Sequence, residues 1–413
     1  MKARPALPPP PYLVVGLARS GTSAALALRG VDPSAPILAC DSGRPEEAIE
    51  VLDRLRQAGV EIHLDTDGVE LLASSQRPRT VVKSPGVPRD APLVVGAERH
   101  GVPIWSEVEL GFRLLQPRLV GVTGTNGKTT TAELLGVMLE APVAGNVGRA
   151  LTELDGEIDP GTLVVCELSS FQLEDVHELA CEVAVLLNLE PDHLDRYASF
   201  DDYRAAKLRI FERAHTKVVP KGSGLEGVEF SADDSLPAEP RIRGAHNREN
   251  AAAATAAART IGVSEEQIAE ALRSFAGVPH RLELVRELKG VRYVNDSKAT
   301  NVAAALRGLA AYEVEPVHLI LGGSRKGEDF TPLAAAIGPN VRSIHVIGET
   351  ADELAAAIPR AQRDGDLATA LTAVDARPGD VVLLSPACAS YDQFRDFEER
   401  GEEFRRLVQN LSA

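Results

Sequence analysis

The segment GVTGTNGKTT, residues 121 to 130, sets Gly124, Thr125, Asn126, Gly127, Lys128, Thr129 and Thr130 directly behind the apolar residues Leu119 and Val120. These residue types suit a polyphosphate. Glycines let backbone N–H groups converge on phosphate oxygens, and a helix starting there aims the positive end of its dipole at them. Lys128 adds a point charge, and the Thr129 hydroxyl stands where it can ligate Mg²⁺ on the phosphates. The general Walker pattern has glycine five positions before Gly127, where this chain has Val122, so the match is partial. A glycine-lysine-threonine run by itself can also do no more than open a helix.

A Mg-nucleotide needs a carboxylate at a neighbouring strand end, and Glu167 closes the apolar run of TLVVCELSS. NLEPDHLDRY, residues 188 to 197, follows another apolar run and sets His193 between Asp192 and Asp195. In YRAAKLRIF, Lys207 sits among alanine, leucine and isoleucine on a predicted helix. Taken alone, His193 reads as a polar loop residue and Lys207 as a helix lysine whose stem covers apolar surface.

The elements that must position these residues are short β-rich runs alternating with helical stretches: PYLVVG, PILACD, TVVKSPG, RLVGVTG, TLVVCELSS, VAVLLNLE, VHLILGG, SIHVIG and VVLLSP. Such alternation predicts an α/β protein with parallel sheets flanked by helices, and ligands of such sheets gather at the carboxyl ends of the strands. At about 150 residues per domain, 413 residues suggest two or three domains, and three are expected. One seam falls near PIWSEVELGFRLLQP, residues 103 to 117, and another near SFAGVPHRLEL, residues 274 to 284. The expected domains are residues 1–106, 107–278 and 279–413. Residues 221–241, rich in Gly, Ser, Asp and Pro, read as a variable surface segment without an assigned role.

Lys and Arg total 44 against 60 Asp and Glu, a formal charge of −16 that disfavours sequence-independent binding to nucleic acid or anionic lipid. Cys40, Cys166, Cys181 and Cys388 form no C-x-x-C pair, so reduced thiols are expected rather than disulfides or a zinc site. The start, MKARPALPPPPYLVV, has a proline tract where a signal peptide needs an apolar helix, and no run approaches membrane-spanning length. A cytoplasmic protein is expected. VVGLARSGTSAAL followed by ILACDSG reads as strand, glycine turn, helix, strand and acidic residue, with Ala18 where a dinucleotide fingerprint has its middle glycine. It is not read as an NAD site.

GTNGKTT, ELSSFQLE, NLEPDHLDRY, YRAAKLRIF, GAHNREN, GVPHRLE, NDSKATN, GGSRKGEDF and LLSPACASYDQFRDFEERG, in that order, strongly resemble the Mur ligases through nearly the whole chain. NDSKATN and SPACASYDQF resemble the D-glutamate-adding member, and the DNPR-like acceptor motif of a sibling is absent. The resemblance implies Rossmann-like outer domains around a central P-loop domain, the first binding UDP and the last an amino acid. It implies ATP-dependent addition of D-glutamate to UDP-N-acetylmuramoyl-L-alanine through an acyl phosphate, in peptidoglycan precursor synthesis by a monomer.

Site roles follow from the same resemblance. Thr129 and Glu167 would hold one Mg²⁺, and His193 with Lys207, the latter as its carbamate, a second; Lys128, His193 and Lys207 would be catalytic. Gly124 to Thr130, Asn250, Arg281 and Asp296 would bind ATP. Asn146 and His193 would face the muramoyl-alanine end, and Arg19, Ser20, Asp41, Ser42, Arg44 and Ser84 the uridine and phosphates. Thr300, Lys326, Ser390 and Phe397 would bind D-glutamate. Two rivals remain at this level: another amide ligase of the superfamily, such as a sibling Mur ligase or folylpolyglutamate synthetase, and a nucleotide-dependent switch protein.

Overall fold

The computed structural model describes residues 7, 9–43, 49–73, 77–193, 196–242, 244–325 and 327–412. Three sheets organise them. The first contains β1 (Tyr12–Val15), β2 (Ile37–Cys40), β3 (Glu61–His63), β4 (Thr80–Lys83) and β5 (Ile104–Ser106), all parallel, in the order β3-β2-β1-β4-β5. The second contains β6 (Arg118–Thr123), β7 (Val143–Gly145), β8 (Leu163–Glu167), β9 (Cys181–Leu186), β10 (Thr216–Pro220) and β11 (Val228–Phe230), also parallel, in the order β11-β10-β9-β6-β8-β7. The third contains β12 (Glu283–Leu288), β13 (Val291–Asn295), β14 (Val317–Gly322), β15 (Val341–Ile347), β16 (Gln362–Gly365) and β17 (Val381–Leu384), in the order β12-β13-β17-β14-β15-β16.

Each of the apolar runs read from the sequence is a strand, because helices on both faces require both faces to be apolar. The third sheet departs from the all-parallel expectation, since β12 pairs antiparallel with β13 at its edge. A two-residue connection, Lys289 and Gly290, joins them, and only an antiparallel neighbour can be reached by so short a turn. The segment 221–241 adds a strand, β11, beside β10.

The chain divides into two compact units, Met1–Pro240 with Ala245–Arg273, and Arg241–Gly244 with Ser274–Ala413. The first holds two sheets, and helix Glu107–Leu115 joins them. Leu110 packs with Tyr12, Val14 and Leu28 under the first sheet, whereas Val108, Phe112 and Leu115 pack with Leu119, Leu151 and Val164 of the second. Burying such side chains contributes about 1.5–3 kcal/mol each. The same helix carries Glu109, whose buried carboxylate accepts N–H bonds from His177, Glu178 and Leu179 and an ion pair from Arg113 at 2.6 Å. Its C-cap Gln116 takes φ 51° immediately before Pro117, which cannot continue the helix.

Candidate active site

Strand β6 ends at Thr123, and the helix Lys128–Leu139 begins at once after the loop. Gly124 has φ 156° and Gly127, the helix N-cap, φ 83°, a conformation that side chains other than glycine resist. Gly127 also has no room for a methyl group, since a Cβ would stand 2.2 Å from Asn250 Oδ1. Asn250, buried on helix Ala245–Ile261, therefore seats the phosphate loop directly.

Loop NLEPD, after β9, braces the other side. Asn188 Oδ1 accepts the Asn126 N–H at 2.8 Å, and its amide donates to Asn126 O at 3.2 Å. Glu190 N–H donates to Thr125 Oγ1 at 3.0 Å, while Asn126 Nδ2 donates to Glu190 Oε2 at 2.9 Å. Thr129 and Thr130 are buried in the first turn of the helix.

Glu167 ends β8 opposite Val122 and is 2 % exposed. Asn146 lies across from it, its Nδ2 donating to Glu167 Oε1 at 3.1 Å and its backbone N–H to Glu167 O at 2.9 Å. Gly145 permits this approach: a Cβ there would be 2.1 Å from Glu167 O. Among the described residues nothing donates to Glu167 Oε2, which leaves one oxygen of a buried carboxylate for a hard cation. No group of three or more His, Cys, Asp or Glu side chains among the described residues suffices to hold an ion by itself. A cation there would take a hydroxyl such as that of Thr129, and phosphate oxygens, as further ligands.

Lys207 sits on helix Phe200–Leu208, one turn after Tyr203, so both occupy one face. It is 1 % exposed, lies 4.7 Å from the Tyr203 ring centroid and donates to Gly124 O at 2.8 Å. Lys128 Nζ donates to the same oxygen at 2.8 Å and to Thr125 O at 2.8 Å. Burial, and then the neighbouring Lys128 charge, pull the Lys207 pKa down to about 7, against the smaller opposing pull of Asp192 and Glu167. His193 takes φ 53°, a left-handed conformation, and its half-exposed ring stands 4.9 Å from Phe171 and 6.2 Å from Tyr203. Tyr203 is thus the common neighbour of His193, Lys207 and, by a 3.1 Å hydroxyl contact, Thr125.

The first sheet contributes its own loop. Gly16 takes φ 84°, and a Cβ on Gly21 would lie 1.9 Å from Gly16 O, so these glycines serve the close packing of turn and helix. Asp41 accepts Leu17 N–H at 2.7 Å and Gly43 N–H at 3.0 Å, and Ser84 Oγ donates to Gly16 O at 2.7 Å. The Arg19 guanidinium donates to Gly148 O, two residues beyond Asn146. A cleft of about 870 Å³ opens here, lined by Arg19, Arg54, Arg149, Glu153, Asp155 and Glu157 among others. Ser20 is half-buried and Ser42 exposed. Arg44 lies outside the described residues.

In the second compact unit, Asp296 follows β13 and is buried. It accepts from Ser385 Oγ at 2.7 Å and Leu282 N at 3.2 Å, and burial raises its pKa to about 7. Arg281 is half-buried in the preceding turn, its N–H bonded to Val278 O at 3.1 Å. Thr300 is half-buried and Ser390 buried, in the loops after β13 and β17, and Phe397 opens helix Phe397–Gln409. Ser297 Oγ donates to Phe397 O at 2.8 Å, tying the first of these loops to that helix. Lys326 lies outside the described residues.

Asn188, Glu190 and Tyr203 were not singled out by sequence reasoning as supports of the loop. Tyr203 was findable from its four-residue spacing to Lys207, and the others only from their place at the exit of β9.

Residues 122–221 match the Mur ligase middle domain, and residues 280–388 the Mur ligase glutamate ligase domain. A UDP-N-acetylmuramoylalanine–D-glutamate ligase of Acidobacterium capsulatum is 39 % identical over 96 % of this chain and 95 % of its own length. The protein of the same name from Sphingopyxis alaskensis is 39 % identical over 97 % and 98 %. Among solved structures, a UDP-N-acetylmuramate-alanine ligase from Thermotoga maritima is similar in fold, with TM-score 0.57 and 18 % identity over 96 % of this chain and 99 % of that one.

Proposed function

The chain belongs to the Mur ligase family, and from that premise we infer how its residues divide an ATP-dependent ligation. The reaction adds D-glutamate to UDP-N-acetylmuramoyl-L-alanine, releasing ADP and phosphate, in peptidoglycan precursor synthesis. A carboxylate is a poor electrophile, because its delocalised charge repels nucleophiles; an acyl phosphate carries a good leaving group. Forming one brings a carboxylate against a polyphosphate, a repulsion of about 4 kcal/mol per charge pair at 4 Å and an effective dielectric near 20.

The loop amides of Gly124 to Thr130 and the Lys128 ammonium hold the triphosphate and offset that repulsion. Two Mg²⁺ ions, one held by Thr129 and Glu167 and the other by His193 and the Lys207 carbamate, would supply further positive charge between the two anions. Asn146 and His193 orient the muramoyl-alanine carboxylate, and Arg19, Ser20, Asp41, Ser42, Arg44 and Ser84 its nucleotide end. Asn250, Arg281 and Asp296 hold the ATP nucleoside and phosphates. Thr300 and Lys326 take one carboxylate of D-glutamate, and Ser390 and the Phe397 backbone the other. The amine then attacks the acyl carbon, and phosphate leaves.

The observation that carries these roles is Lys207, a buried amine 2.8 Å from the phosphate-loop carbonyl with its pKa drawn to about 7. A core lysine with no function at that place would be replaceable by leucine, whereas a neutral amine there accepts CO₂ and becomes an anionic oxygen ligand. The four described thiols are free and buried, in keeping with a cytoplasmic enzyme, and no helix among the described residues is long and apolar enough to cross a membrane. The enzyme acts as a monomer with residues 1–106, 107–278 and 279–413 as its domains. Incubation with ATP, Mg²⁺, UDP-N-acetylmuramoyl-L-alanine and a panel of amino acids tests the assignment: mass analysis should find product with D-glutamate. Product with a different amino acid, or ATP turnover indifferent to both substrates, would overturn it.

A further inference from the structure

Arg400 is the largest side chain to be fully buried in the chain's described residues, at 0 % exposure, and among them no carboxylate pairs with it. Isolated buried charge is costly, so a guanidinium without an ion-pair partner must recover its lost hydration from other dipoles. Here every nitrogen does so. Nε donates to Ser297 Oγ at 2.9 Å, Nη2 to Ser297 O at 2.9 Å and Cys388 O at 3.1 Å, and Nη1 to Ala389 O at 3.1 Å and Gly322 O at 3.4 Å. These acceptors come from the carboxyl ends of three neighbouring strands, β13, β14 and β17.

The packing leaves no slack. A Cβ on Gly323 would stand 3.0 Å from Arg400 Nη1 and 2.0 Å from Ala389 O, so that glycine lets the guanidinium lie flat between the loops. Ser297 Oγ also donates to Phe397 O at 2.8 Å, closing a chain from the guanidinium back to the first residue of its own helix. Because a trans peptide sets N–H opposite C=O, fixing the carbonyls of Cys388 and Ala389 on the guanidinium turns the amides of Ala389 and Ser390 away from it. Asp392, in the same loop, accepts from Glu349 N at 3.0 Å, and its charge helps to keep the guanidinium protonated against the cost of burial.

We propose that Arg400 is a positioning residue of the amino-acid pocket, fixing the Ser297–Thr300 and Cys388–Ser390 loops against each other. The proposal rests on the acceptor assignment above. Arginine is required because its planar fork spans both loops at once, which a lysine ammonium cannot do.

Arg400→Lys and Ser297→Ala in the full chain test it by steady-state kinetics and amide exchange. Arg400→Lys should raise the KM for the amino acid at least tenfold more than the KM for ATP, with faster exchange at residues 297–300 and 388–390. Ser297→Ala, which removes only the hydroxyl link, should move both readouts the same way by about threefold. Equal rises in both KM values, or unchanged exchange in those loops, would overturn the proposal. Should Arg400→Lys not fold, Ser297→Ala decides alone by the same criteria. If the wild-type protein uses an amino acid other than D-glutamate, the acceptor assignment fails, while Arg400 is still judged on the KM of the amino acid used and on exchange.

Discussion

The two compact units each bury a cation beside the carboxyl ends of parallel strands, and they treat it in opposite ways. Lys207 shares one carbonyl oxygen with Lys128 and is drawn toward neutrality, its pKa at about 7. Arg400 is surrounded by four carbonyls and a hydroxyl and stays charged, its pKa lowered by burial only to about 10. The difference fits the job proposed for each place. An amine that is to become a carbamate, as proposed for Lys207, must be able to lose a proton, whereas a guanidinium that is to clasp two loops must keep all its donors.

The largest effect should come from destroying the first kind of centre. Lys207→Ala is expected to lower synthesis at least about a hundredfold, the scale seen when one electrostatic group of an active site is lost. A short-chain carboxylic acid added to that variant should restore part of the activity, and intact-mass analysis of the wild-type protein should show the mass of CO₂. Lys207→Arg breaks the comparison directly by installing the second unit's chemistry in the first: it should be as inactive as the alanine variant, and no added acid should rescue it.

The pH dependence has a definite sign. CO₂ adds only to the neutral amine; with a pKa of about 7 the amine is about half neutral at pH 7 and about a tenth neutral at pH 6. Activity measured without added bicarbonate should therefore fall as the pH is lowered from 8 to 6, and bicarbonate should offset part of the fall. An activity profile flat over that range would contradict the role given to Lys207.

A smaller effect is expected from Gly127→Ala, which introduces both a strained φ and a contact 2.2 Å from Asn250 Oδ1. Backbone strain of 1–3 kcal/mol predicts a rise of about tenfold in the KM for ATP. Adding Asn250→Gly to it should relieve the contact but not the strain, so the double variant should bind ATP no better than Asn250→Gly alone.

Glu107 offers a change in stability alone, outside the chemistry. Its carboxylate accepts from Thr152 N at 2.6 Å and Thr152 Oγ1 at 2.8 Å, yet Oε2 is buried without a partner, and burial raises its pKa from 4.5 to about 7. A raised folded-state pKa means stability present in full below pH 4.5 and lost as the pH rises to about 7. Between pH 5.5 and 8 the wild type should lose about 2 kcal/mol relative to Glu107→Gln, read from denaturant midpoints. Parallel curves would refute this.

How much of this was legible in the sequence depended on whether a feature declares itself locally. The central strands did, because burial on two faces forces continuous apolar runs such as LVVCE and VVLL. Short edge strands did not: Glu61–His63 is half-buried at two of its three positions, Gln362–Gly365 is mostly exposed, and neither carries an apolar run to read. Lys207 read by itself as a helix lysine whose stem covers apolar surface; only the family resemblance singled it out, and its full burial is a finding of the structure. Its partner charge Lys128 and their shared acceptor Gly124 O were not legible, since 83 residues separate Gly124 from Lys207. Arg400 stands in FRDFEERGEEFRR, where the flanking charges disguise it as one more solvated helix residue, and only the packed structure shows that its turn faces inward. The antiparallel β12 was hidden for a different reason, its six residues being mostly half-buried rather than apolar.

The central claim is that ATP is spent to convert the inert carboxylate of UDP-N-acetylmuramoyl-L-alanine into a group the amine can displace. Oxygen-18 placed in that carboxylate follows the bond directly. During synthesis the label should appear in the released inorganic phosphate; amide product formed while phosphate stays unlabelled would contradict the account.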